Sequence, residues 1–226
     1  MSWTFSFRAN TELYLKNPAD TELGRKILQK GMEMMYELGL EDFTLRKLAV
    51  AINTNESSVY RYFGNKNRLL QYYFEWYWRW LDYQVFVCTQ NVSDPQERMN
   101  IVIELLTSQR SIETVNEYWT QEDLLRNLII QEGVKSYLTS QVDEDNKLQL
   151  FKPYKELCGK IATLITELNP SYEFPRTLAS TLLEMAHHQF FFVRHLPSLT
   201  DFSATREESR IAIFLKDLVQ KITPQQ

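Results

Sequence analysis

Residues 72–87 read YYFEWYWRWLDYQVFV, inside an uninterrupted helical stretch from about Lys66 to Val87. Its polar residues, Gln71, Glu75, Arg79 and Asp82, fall on one narrow stripe at helical spacing. Every other side is apolar or aromatic, and such a helix needs neighbours on most of its circumference. The stripe is expected to face solvent, with Glu75 and Arg79 as an i,i+4 pair. Exposed aromatics also stack on nucleobases, but rings that surround a helix belong to a core.

The neighbours are helices too. The 226 residues include only 6 Gly and 7 Pro, too few breakers for an all-β chain. Asn17-Pro18 reads as the start of a first helix to about Leu38, with Leu23, Ile27, Leu28, Met34, Met35 and Leu38 inward and Gly39 as a left-handed cap. Helices open at Pro95, near Thr120–Asp123, at Pro153 and at Pro175, and a last one spans about Thr205 to Ile222. Residues 1–17 form an arm in which Trp3, Phe5 and Phe7 alternate with polar residues at strand period. No stretch reaches the ~18 apolar residues of a membrane span, and MSWTFSFRAN lacks the order of a signal peptide. A cytoplasmic protein with no membrane partner is expected. Cys88 and Cys158 belong to no paired motif and read as packed thiols.

Just before the aromatic helix lies TLRKLAVAINTNESSVYRYFGNKNRLL, residues 44–70. Thr44 caps a helix whose inner face is Leu45, Leu48, Ala49 and Ile52. Asn53-Thr54-Asn55 then breaks the chain, because Asn53 tolerates positive φ and Asn55 caps a short helix over 56–63. Asn65 caps the long helix. Three helices with a tight break before the third make a helix-turn-helix unit. Charge agrees: residues 45–80 carry 6 basic and 2 acidic side chains, or +4, within a chain of net charge −4. A cationic zone on an acidic body points to a local anionic partner, although a solvated helix face has the same composition.

The run Ser58-Val59-Tyr60-Arg61-Tyr62-Phe63, preceded by Thr44 and followed by Lys66 with Leu69-Leu70, resembles the DNA-binding unit of the TetR family of bacterial transcriptional repressors. The likeness covers about residues 21–70. It departs where Asn53 and Ser57 replace the usual turn Gly and the usual Gly or Pro. The resemblance implies phosphate contacts by Thr44, Ser58, Tyr60, Tyr62 and Lys66, and base contacts by Arg46, Glu56, Ser57 and Arg61. Glu56 has two readings: acceptance from a cytosine amino group, or simple complementarity with the positive end of its helix.

The family likeness implies an all-α chain: an arm over 1–17, a three-helix helix-turn-helix domain over 18–66, and a helical effector-binding and dimerisation domain over 67–226. The implied protein is a homodimer on a palindromic double-stranded DNA operator, released by a small-molecule effector. Apolar faces at Leu178, Leu182, Met185 and Phe192, and at Ile211, Leu215, Leu218 and Ile222, suit either a two-fold four-helix interface or the monomer core. Trp76, Trp80, Trp119, Phe190 and Phe191 are candidates for an apolar or aromatic effector pocket. His187, His188 and His195, near Glu184, lack the further ligands of a metal site. No metal, cofactor or catalytic constellation is expected. The competing reading keeps the fold as a carrier or sensor of hydrophobic small molecules without DNA binding.

Overall fold

Side-chain caps divide the chain into short and long helices, and the computed structural model describes residues 8–110, 122–202 and 207–222. The helices are α1 (Glu22–Asp42), α2 (Leu45–Ala51), α3 (Glu56–Tyr60), α4 (Lys66–Thr89) and α5 (Pro95–Leu106). They continue with α6 (Glu122–Glu132), α7 (Val142–Lys147), α8 (Lys152–Leu168), α9 (Pro175–His195) and α10 (Ser209–Ile222). The described residues hold no strand, and the fold is all-α. The expected strand-like arm residues Trp3, Phe5 and Phe7 lie outside the described residues. The chain forms two compact units: 8–77 with 122–152, and 78–110 with 153–202 and 207–222.

In the first unit, Ile27, Leu28, Met32 and Met35 of α1, Leu45, Leu48 and Ala49 of α2, Val59 of α3, and Leu69 and Leu70 of α4 are all buried, and α1 packs on α2. Gly31 permits close approach of α4: a Cβ there would lie 2.7 Å from the Tyr73 hydroxyl, which donates to the Leu28 carbonyl at 2.8 Å. Three features of α1 differ from expectation. Asn17-Pro18 opens only a 3-10 turn, Pro18–Asp20, and Thr21 caps α1 by accepting from the Gly24 N–H at 3.0 Å. Gly39 adopts φ 74, ψ 159, which is not the left-handed helical cap, and helical residues continue to Asp42. The kink leaves Leu38 exposed and buries Leu40 and Phe43 instead.

The polar stripe of α4 also departs from expectation: Gln71 and Glu75 are buried. Gln71 Nε2 donates to Asp145 Oδ2 of α7 at 2.7 Å and to the Ser136 carbonyl at 3.2 Å. Arg68 pairs with the other Asp145 oxygen at 2.8 Å. Glu75 accepts the Asn10 N–H at 2.9 Å. Residues far along the chain thus cover a stripe that local spacing assigned to solvent. α6 packs along α1, where Lys135 bridges Glu132 at 2.8 Å and Glu41 at 3.5 Å.

In the second unit, α5 opens at Pro95 as expected and ends at Leu106. The Thr107 hydroxyl donates back to the Ile103 carbonyl at 2.7 Å, and Ser108 takes φ 53. α10 starts at Ser209, later than expected. Lys216 of α10 and Arg110 hold Glu104 of α5 at 2.8 and 3.0 Å, and the Lys216 hydrogen bond is the main cause that lowers its carboxyl pKa. Burial raises the pKa of the Cys88 and Cys158 thiols. No helix of the described residues is long and apolar enough to cross a membrane.

Candidate nucleic-acid interface

The surface built by α2, α3 and the start of α4 depends on its caps. Thr44 Oγ1 accepts the Lys47 N–H at 3.1 Å, so its own hydroxyl proton remains available. Asn53 adopts φ 60, the left-handed conformation expected of it. Asn55 Oδ1 accepts twice, from the Ser58 N–H at 2.8 Å and from the Ser57 hydroxyl at 2.7 Å. Asn65 Oδ1 accepts the Arg68 N–H at 2.9 Å. Both ends of the turn are therefore fixed before any ligand arrives.

α3 ends at Tyr60, so the expected helix over 56–63 is shorter. Arg61 and Tyr62 form a turn and Phe63 plugs the core. Of α3, Val59 alone is buried. Glu56, Ser57 and Tyr60 are exposed, Ser58 is half-buried, and Arg61 and Arg46 are exposed. One short helix thus offers a carboxylate, hydroxyls and a phenol, with two guanidiniums nearby. The Ser57 proton is used on Asn55, so its oxygen is left as an acceptor.

Two expected phosphate-binding residues are already engaged. Tyr62 is 3% exposed and its hydroxyl sits 2.7 Å from Thr21 Oγ1. Lys66 Nζ donates to the Leu40 and Glu41 carbonyls at 2.7 and 2.9 Å, completing the end of α1. The resemblance placed both by residue type. Their partners lie 41 and 25–26 positions away, beyond the reach of local pattern.

The remaining candidates are spread over the chain. Trp76 is buried in the first unit, Trp80 and Phe190 are buried in the second, Phe191 is half-buried, and Trp119 lies outside the described residues. Trp80 stacks on Tyr83, centroids 5.9 Å apart, and Phe191 packs on the His195 ring at 4.7 Å. Sequence reasoning missed another group in the second unit. Trp78 packs against Tyr154 at 4.6 Å and His187 at 5.3 Å, and the Tyr154 hydroxyl donates to Glu184 at 2.5 Å. The available signal was helical spacing: His187 lies four positions after Leu183 and three before Phe190. No three His, Cys, Asp or Glu side chains converge on a metal-sized site among the described residues.

The apolar faces of α9 and α10 divide by burial. Leu178, Leu182, Ile211 and Leu215 are buried within the single chain. Met185, Phe192, Leu218 and Ile222 are half-buried. Met185 and Phe192 lie with His188 along a shallow open surface of α9.

Residues 27–73 match the family model described as bacterial regulatory proteins, tetR family. No curated protein matches the chain. Among solved structures, AibR in complex with isovaleryl coenzyme A and operator DNA is similar at 16% identity and TM-score 0.59, over 89% of this chain and 100% of AibR. The ketosteroid transcriptional regulator KstR2 of Mycobacterium tuberculosis gives 13% identity and TM-score 0.57, over 91% and 97%. The fatty acid degradation regulator FadR from Bacillus halodurans gives 16% identity and TM-score 0.56, over 88% and 93%. At these identities the likeness is one of fold.

Proposed function

With residues 27–73 belonging to the tetR family of bacterial regulatory proteins, we propose that this chain is a dimeric repressor whose α3 reads a palindromic operator. The observation that carries the reading is the exposed face of α3: Val59 anchors it, and Glu56, Ser57, Tyr60 and the following Arg61 remain open to a partner. Arg46 and Arg61 have the donor fork that guanine O6 and N7 accept. Glu56 and Ser57 are acceptors, matched to amino groups of cytosine or adenine. Thr44, Ser58 and Tyr60 supply hydroxyls to phosphates, and Lys66 has a third ammonium proton left for one.

A two-fold dimer through the half-buried Met185, Phe192, Leu218 and Ile222 would set two α3 helices about 34–36 Å apart on one face of DNA. The aromatic side chains of Trp80, Phe190 and Phe191 in the second unit favour an apolar or aromatic effector. The similar regulator AibR carries isovaleryl coenzyme A together with operator DNA, and KstR2 is a ketosteroid regulator; an effector with a hydrophobic body fits that company. Effector binding then favours a dimer whose reading heads no longer match the operator.

An electrophoretic shift with DNA from the protein's own promoter region, run at two salt concentrations, tests the proposal. A shift that weakens with salt is expected. The engagement of Tyr62 and Lys66 by protein atoms favours a second reading, a carrier of hydrophobic molecules. Absence of a shift at low salt would support that carrier instead.

A further inference from the structure

Most basic side chains between residues 16 and 68 are committed to protein partners. Lys26 pairs with Glu22 at 2.7 Å, Lys30 with Glu33 at 2.9 Å and Arg68 with Asp145 at 2.8 Å. Arg25 donates to the Ala19 carbonyl at 2.8 Å and Lys47 to that of Asp42 at 2.7 Å. Lys66 holds two carbonyls. Among the described residues of this span, Lys16, Arg46 and Arg61 have neither a carboxylate nor a carbonyl partner. Arg46 and Arg61 belong to the helix-turn-helix. Lys16 precedes it, in the segment before α1.

That segment is fixed to the first unit. Leu13 is 1% exposed. The Asn10 N–H donates to Glu75 at 2.9 Å and its side-chain amide to the Leu148 carbonyl at 2.8 Å. The Leu15 N–H donates to the Tyr62 carbonyl at 2.8 Å. The Lys16 ammonium sits 5.3 Å from the centre of the Tyr62 ring, within cation–π range, and the side chain is exposed. Tyr62, two residues past α3, has its hydroxyl on Thr21. A free cation therefore stands on top of an aromatic ring whose own polar atom is occupied.

We propose that Lys16 grips a DNA backbone phosphate beside the reading helix, with the Tyr62 ring as the platform that aims it. The inference rests on the DNA-binding reading and extends the footprint beyond residues 27–73. An ammonium already positioned needs little ordering when the phosphate arrives. Its contribution is independent of base sequence and depends on salt.

The test measures the salt dependence of binding by the full-length protein to a duplex that the wild type has enriched from a random library. Lys16→Gln is expected to lower the slope of log affinity against log salt by about 0.9 per bound protomer. Lys16→Arg restores the slope, and Lys147→Gln, an exposed cation of α7 paired with Glu144, leaves it unchanged. A wild-type slope in Lys16→Gln would overturn the assignment of Lys16 while leaving DNA binding intact. A wild type that enriches no duplex and binds none at low salt would overturn both. Thermal denaturation of each variant separates a lost phosphate contact from a lost fold.

Discussion

At the scale of single residues, Gly39 and Glu56 make the sharpest predictions. Gly39 takes φ 74, ψ 159, a region essentially restricted to glycine, and a Cβ there would also lie 3.3 Å from Glu132. Gly39→Ala is therefore expected to cost about 1–3 kcal/mol, read as a lower urea midpoint with an unchanged slope. Glu56 is exposed at the first turn of α3. If it accepts from a cytosine, Glu56→Ala relaxes preference at one base pair by about 1–3 kcal/mol across a set of variant duplexes. A variant that weakens every duplex equally would leave Glu56 as a helix-end charge only. The turn before Glu56 was legible because its chemistry is local: Asn53, Asn55, Thr44 and Asn65 each act on residues within three positions. The engagement of Tyr62 by Thr21 was not, since nothing near either residue announces the other.

At the scale of elements, α4 is where expectation and structure part. Its length and its aromatic burial followed from spacing, but Gln71 and Glu75 are interior. A polar stripe indicates only that the opposite faces are apolar. Whether water or protein meets it depends on remote groups, here Asn10, Ser136 and Asp145. Asp145 itself sits on α7, whose sequence VDEDNK carries no apolar rhythm to reveal a helix. Because its two oxygens serve Arg68 and Gln71 from a site with 5% side-chain exposure, removing it takes the carboxylate from a guanidinium and a hydrogen bond from a buried amide. Asp145→Ala is expected to cost about 3 kcal/mol, and Asp145→Asn less, by chemical denaturation. α9, by contrast, opens at Pro175 as its proline predicts, and runs to His195.

At the scale of the whole molecule, acid sensitivity has an identifiable source in the second unit. The Glu104 carboxyl pKa lies below its ordinary value of 4.5, chiefly through Lys216. A depressed carboxyl stabilises the folded state above the unfolded pKa, and that contribution disappears as pH falls through the folded one. Stability should therefore decline below about pH 4.5. Glu104→Gln should be the less stable protein near neutrality and converge with the wild type in acid, as thermal midpoints across pH would register. The first unit has a different global property: it is assembled from two stretches of chain, with Asp145 fastened to Arg68 and Gln71 across more than seventy positions. During synthesis the contacts of Asp145 with Arg68 and Gln71 cannot form while only α1, α2 and α3 have emerged. They arise only once α7 has been translated, so a nascent product that stops before α7 would lack the carboxylate that Arg68 and Gln71 share.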